Sequence, residues 1–216
     1  MSILNRFQLR VGFWAALVCG LWQSGATAAV ITYTDQSVFN AAVTGQVAQD
    51  FSGFNGLYLN GLVVSVPGYT ISASAPGELY AAPGLMSTNS ADVPLTFTFT
   101  GTLPTAVGGL FFVTDVNFGA LSSTLTVSLN DGTFINLPAP SALNLTGAFA
   151  GFTSDVGITS LTVGGPFSSP SGTGFATVNS LYVGTGRSAT VPEPSSFALI
   201  SVIGLLGLVY RKRMKK

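Results

Sequence analysis

The stretch Leu95-Thr96-Phe97-Thr98-Phe99-Thr100 alternates without a fault, with three large apolar residues on one side and three threonines on the other. A period of two belongs to a strand with one buried face, and an amphipathic helix cannot present it. The alternation returns in Tyr69, Ile71 and Ala73 against Thr70 and Ser72. It returns again in Leu125, Val127 and Leu129 against Thr124, Thr126 and Ser128. Asn130-Asp131-Gly132 follows directly and suits the positive-φ positions of a tight hairpin, so residues 133–137 are expected to pair back.

Further strands are expected over residues 30–34, 47–51, 62–66, 148–152, 158–163 and 175–183. Residues 109–114 are apolar almost throughout, which marks a central strand. Pro67-Gly68, Pro76-Gly77 and Pro83-Gly84 read as turns, and residues 52–61 as a loop carrying Phe54, Leu57 and Tyr58. One helix is expected, over residues 36–43. Asp35 would cap it, Gly45 would end it, and Val38, Phe39 and Ala42 would share a face. Roughly ten short strands spaced by about 8–15 residues imply an all-β fold, an antiparallel β-sandwich of jelly-roll-like type. No internal repeat is visible.

The two ends differ from this middle. Residues 1–28 read as a secretory signal: Arg6 and Arg10, an apolar run over 11–22, then Ala26-Thr27-Ala28 as an A-x-A cleavage site. Cutting after Ala28 or after Ala29 fits equally, and about 12 apolar residues are too few for a permanent span. Cys19 is expected to leave with the signal. At the other end stand Val191-Pro192-Glu193-Pro194, an uncharged run over 195–210, and a basic cluster of Arg211, Lys212, Arg213, Lys215 and Lys216. The prolines keep the first part extended and exposed. The 16 residues of the run reach about 24 Å at ~1.5 Å rise, short of the ~30 Å hydrocarbon core. Snorkelling of Arg211 and Lys212 and an interfacial Tyr210 make a single C-terminal transmembrane helix feasible. The basic end would stop in the cytoplasm, with Glu193 outside.

This tripartite tail resembles the PEP-CTERM sorting signal of exopolysaccharide-producing, mostly Gram-negative bacteria. Pro192-Glu193-Pro194, Ser195-Ser196-Phe197-Ala198-Leu199, Gly204-Leu205-Leu206-Gly207-Leu208 and the basic cluster carry the likeness, in order. The resemblance implies an exosortase, a membrane-embedded cysteine protease, that recognises Pro192-Glu193-Pro194 and removes the tail. An ordinary single-pass anchor is the plainer alternative. No LPxTG box, as Gram-positive sortases need, precedes the span.

Between the ends, residues 29–183 form the expected ectodomain and 184–190 a linker. From 29 to 190 there is no His, no Cys and no Lys, and seven acids face only Arg187, a net of −6. Nucleic-acid binding, which needs clustered cations, is excluded. So are Ser-His-Asp and Cys-His nucleophiles, His-ligated zinc, Schiff-base chemistry and a Walker loop. No organic cofactor is implied. Two carboxylates would suffice for glycoside hydrolysis, yet the acids are scattered singly, and Glu78 after Pro76-Gly77 reads as a turn residue. Calcium is the metal that such loops would suit, with Asp115, Asn117 and Asp155 as candidate ligands; a turn or cap role for Asp155 is the simpler reading. Gly151-Phe152-Thr153-Ser154-Asp155 before the strand at 158–163 also looks like the late strands of β-sandwich ectodomains frequent in PEP-CTERM proteins. Those domains often place an aspartate where this chain has Asn179, which leaves the cation site incomplete. Tyr58, Tyr69 and Tyr80, each in or beside a Gly/Pro-rich loop, are candidate sugar-stacking residues.

The expectation is thus a non-catalytic envelope or matrix protein that binds exopolysaccharide. Its partners would be the Sec translocon, signal peptidase, exosortase and, through the tail, the membrane. A secreted carbohydrate-active hydrolase and a permanently anchored envelope protein are the alternatives.

Overall fold

The computed structural model describes residues 29–138, 147–164 and 173–187. The expected signal segment, sorting tail and transmembrane run lie outside them. Among the described residues no helix is long and apolar enough to cross a membrane.

The chain is mostly strand. It begins with β1 (Val30–Tyr33), α1 (Gln36–Ala42), β2 (Val43–Gln49), β3 (Gly56–Tyr58), β4 (Leu62–Val66) and β5 (Tyr69–Ser74). Next come β6 (Leu79–Ala82), β7 (Leu85–Thr88), β8 (Leu95–Thr100), β9 (Ala106–Thr114) and β10 (Ala120–Leu121). It closes with β11 (Leu125–Leu129), β12 (Phe134–Leu137), β13 (Ala148–Ser154), β14 (Ser160–Gly164) and β15 (Phe175–Gly186). Sheet one runs β1-β13-β9-β15-β7-β6-β3, with β10 against β9 and β2 beside the second half of β15. Sheet two runs β12-β11-β14-β8-β5-β4. Neighbouring strands in both sheets are antiparallel, and the chain crosses repeatedly from one layer to the other.

The two layers share one core. Ile71, Phe97, Phe99, Val127 and Leu161 from sheet two meet Leu79, Met86, Phe111, Val113 and Val178 from sheet one, all buried. The outer face of sheet two keeps its threonines and serines. Sheet one has a second covered face, where α1 lays Phe39 over Ala106 and Phe149, with Tyr33, Leu110 and Tyr182 around them. Asp35 accepts from the Ser37 and Val38 N–H groups and so caps α1.

Several local expectations need correction. Val38 does not share the buried face of Phe39; it is 54% exposed. Gly45 does not stop the helix, which ends at Ala42. It lies inside β2 with φ +59, where the register against β15 shifts, so its left-handed backbone serves a β-bulge. The loop expected over 52–61 contains β3. Pro83-Gly84 turns a hairpin of β6 and β7 that the proline and glycine punctuation concealed. Residues 184–187, expected to open a linker, belong to the domain: β15 continues through Gly186, and the Arg187 N–H donates to the Ala42 carbonyl.

Candidate functional site

The outer face of sheet one is covered by α1 over only half its length; a cleft occupies the other half. Its floor, Tyr80 and Ser87, and the buried row that continues from it follow from register. Tyr80 on β6 lies opposite Ser87 on β7, which lies opposite Thr177 on β15, which lies opposite Phe112 on β9. Their chain neighbours Leu79, Met86, Val178 and Phe111 point into the core, so these four face outward. Thr177 holds the floor together. Its Oγ1 is 2.9 Å from Ser87 Oγ and 2.9 Å from Thr114 Oγ1, all three buried.

One wall is the loop that follows β9. Asp115 Oδ1 accepts from the Asn117 N–H (2.8 Å) and the Gly119 N–H (2.7 Å). The Asp115 N–H donates to the Gly119 carbonyl, and the Phe118 N–H to the Asp115 carbonyl. This knot holds Phe118 at φ +62, an expensive backbone for a bulky residue. The Phe118 ring then meets the Tyr80 ring, centroids 5.4 Å apart at 38°. Asn89, Val116 and Phe175 also line the cleft, whose volume is about 290 Å³. That lies at the small end of the ~300–1,000 Å³ of small-molecule sites. Asn89 Nδ2 donates to Glu78 Oε2 at 2.8 Å, so a second carboxylate stands one hydrogen bond behind the lining.

Thr88 also borders the cleft, and its hydroxyl is buried without a partner. Its register opposite Leu79 puts it on the core side of the sheet, not among the groups that face a ligand.

The expected site residues separate. Tyr80 is in the cleft. Tyr58 lies opposite Leu79, faces inward and meets the Phe54 ring edge-on at 6.4 Å. Tyr69 is on β5 in the other sheet and packs on the core. The three do not make one face. Asp115 and Asn117 belong to the cleft loop, whereas Asp155 follows β13. Because β13 runs antiparallel to β9, with Thr153 opposite Ala106, Asp155 sits at the far end of β9, roughly 30 Å away at ~3.3 Å per residue. They cannot share an ion. Asp155 is exposed and accepts from the Ala29 N–H at 3.0 Å. Asn179 occupies a register shift in β15, where its Oδ1 accepts from Ser180 Oγ. Among the described residues, no three His, Cys, Asp or Glu side chains gather as a metal cluster would. Phe118 was not foreseen; the Asn117-Phe118-Gly119 turn after the central strand is the signal that could have found it. Ala26, Ala28, the Val191-Pro192-Glu193-Pro194 motif and the basic cluster from Arg211 to Lys216 lie outside the described residues.

Two comparisons with known proteins bear on the chain. Residues 190–213 match the family described as the PEP-CTERM protein-sorting motif. The chain therefore carries that motif, which implies exosortase processing, export and membrane-associated sorting through the C-terminus. A crystal structure of exo-beta-1,3-galactanase from Phanerochaete chrysosporium with galactose is similar at 14% identity and a TM-score of 0.33. The likeness covers 65% of this chain and 29% of that one. No curated protein matches the chain in sequence.

Proposed function

We infer that this bearer of a PEP-CTERM motif is exported by the Sec route, trimmed by signal peptidase and passed through its tail to an exosortase. It then works in the outer envelope or extracellular matrix as a non-catalytic protein that holds exopolysaccharide in the cleft bordered by the paired rings of Tyr80 and Phe118. The observation that carries this reading is the left-handed backbone of Phe118, maintained by the Asp115 loop so that two aromatic rings border one cleft of mixed polar and apolar lining. Aromatic faces supply stacking for sugar rings, while Asn89 and Asp115 supply hydrogen bonds to hydroxyls. Asp115 Oδ1 is already occupied by two backbone amides, which favours a positioning and hydrogen-bonding role.

The test mixes the processed protein with exopolysaccharide from its host and follows co-sedimentation and reducing ends in the same tubes. Retention without new reducing ends is expected. Tyr80→Ala should lower retention about 2–10-fold, the equivalent of ~0.5–1.5 kcal/mol for an aromatic contact. Equal retention by wild type and Tyr80→Ala would end the cleft reading.

A second reading has its own observation. Asp115 in the cleft and Glu78 behind Asn89 are two carboxylates beside one hollow, the minimum that a glycoside hydrolase needs. New reducing ends, lost in Asp115→Asn and Glu78→Gln, would establish it. A processed protein whose mass still includes residues 195–216 would favour the permanent anchor.

A further inference from the structure

We propose that Ala29 is the amino terminus of the exported protein, and that Asp155 is the receptor for the α-ammonium group created when the Ala28–Ala29 bond is cut. The sequence leaves cleavage after Ala28 or after Ala29 open, and the fold separates them. Ala29 is gripped through both of its backbone polar groups. Its N–H donates to Asp155 Oδ1 at 3.0 Å, and its carbonyl accepts from the Asp155 N–H at 3.3 Å. Val30, the next residue, is the first rung of β1 and lies opposite Ser154. A cut after Ala29 would remove both bonds and leave Asp155 facing no terminus. A cut after Ala28 keeps them and strengthens one.

The step is a hydrolysis. Water's hydroxyl leaves with Ala28 as its carboxyl group, and its hydrogen completes the Ala29 amine, which takes up a proton at neutral pH. The neutral N–H that faced Asp155 thereby becomes one of three donors on a cation. A charge-assisted hydrogen bond to a carboxylate is roughly twice as strong as a neutral one. Charge balance points the same way. Between residues 29 and 190 the only cationic side chain is Arg187, against seven acids. The new ammonium is the second positive charge of the processed domain, and the fold has placed an aspartate at it. Export would thus complete the attachment of β1, an edge strand held on one side by β13.

The experiment isolates the processed protein after export of the full-length chain and reads its first residue by mass spectrometry; Ala29 is expected, and any other start overturns the proposal. A double cycle then separates the charge pair from a plain loop cap. Asp155→Asn, which keeps the side chain's shape and its acceptor oxygen, should lower the melting temperature by about 2–4 °C. Acetylation of the α-amine should lower it similarly in the wild type and very little in Asp155→Asn. No lysine lies between 29 and 190 to compete for the reagent. If Asp155→Asn costs the same with and without the acetyl group, Asp155 is only a cap and the proposal fails.

Discussion

Sheet two and sheet one use the same residue types in opposite ways. On sheet two the outward threonines stay at the surface: Thr96 Oγ1 lies 3.2 Å from Thr162 Oγ1, half-buried, and Thr126 donates to Asn136 in the open. On sheet one Thr114, Thr177 and Ser87 face outward from the core as well, yet all three are buried and bonded to one another. The difference is the second covering. Once α1 and the Asp115 loop lie over sheet one, its outer face becomes an interior, and polar groups there must satisfy each other. That layer can hold side chains in fixed relation, and it carries the cleft. The bare layer cannot.

The largest effects should come from what the sheets share. Phe97 of sheet two and Phe111 of sheet one are both fully buried in the common core. Phe97→Ala and Phe111→Ala should each cost ~3–5 kcal/mol in denaturant unfolding, with one transition. Two separate transitions would mean that the sheets are independent units and not layers of one domain.

The threonines test the contrast directly. Thr177→Val removes the hub between two buried hydroxyls and should cost ~1–3 kcal/mol, whereas Thr96→Val should stay within ~0.5 kcal/mol. Equal costs would erase the distinction between the outer faces. Gly151→Ala probes the covering itself: an added Cβ would stand 2.7 Å from the Phe39 ring and 2.9 Å from the Phe149 ring. Both rings are buried, so the clash must be relieved by shifting packed side chains, and a loss of ~1–3 kcal/mol is expected.

The same contrast explains what could be read from the sequence. β5, β8, β11 and the β11–β12 hairpin stand nearly where alternation and the Asn-Asp-Gly turn put them, because one face of each meets water. β9 was recognisable as central from its unbroken apolar run, the mark of two covered faces. β3, β6 and β7 were not, since strands of three or four residues between Gly and Pro turns carry too little pattern. The cleft was half legible. Tyr80 and Asp115 stood out singly, but nothing local joins them; their meeting depends on the β9–β10 loop folding back over β6. Asp115 and Asp155 looked interchangeable as loop acids, and only the antiparallel pairing of β9 and β13 sends them to opposite ends.

The smallest effect belongs to two exposed acids, one that caps α1 and one in the turn after β2. The Ser37 hydroxyl, then the Val38 and Ser37 N–H groups, hold the Asp35 carboxyl below its ordinary value of 3.8. The Ser52 N–H, then its hydroxyl, do the same for Asp50 just beyond β2. A carboxyl depressed in the folded state contributes stability above its unfolded pKa, and that contribution is lost as pH falls through the folded one. The melting temperature should therefore be level near neutrality and begin to fall below about pH 4. Asp35→Asn retains a capping oxygen but cannot titrate, so it should lower the melting temperature slightly at pH 7 and by less at pH 3, flattening part of that decline. If instead it lowers stability equally at pH 7 and pH 3, the charge at the cap is irrelevant. The acid sensitivity of α1, and of the second face it covers, would then lie elsewhere in the layer.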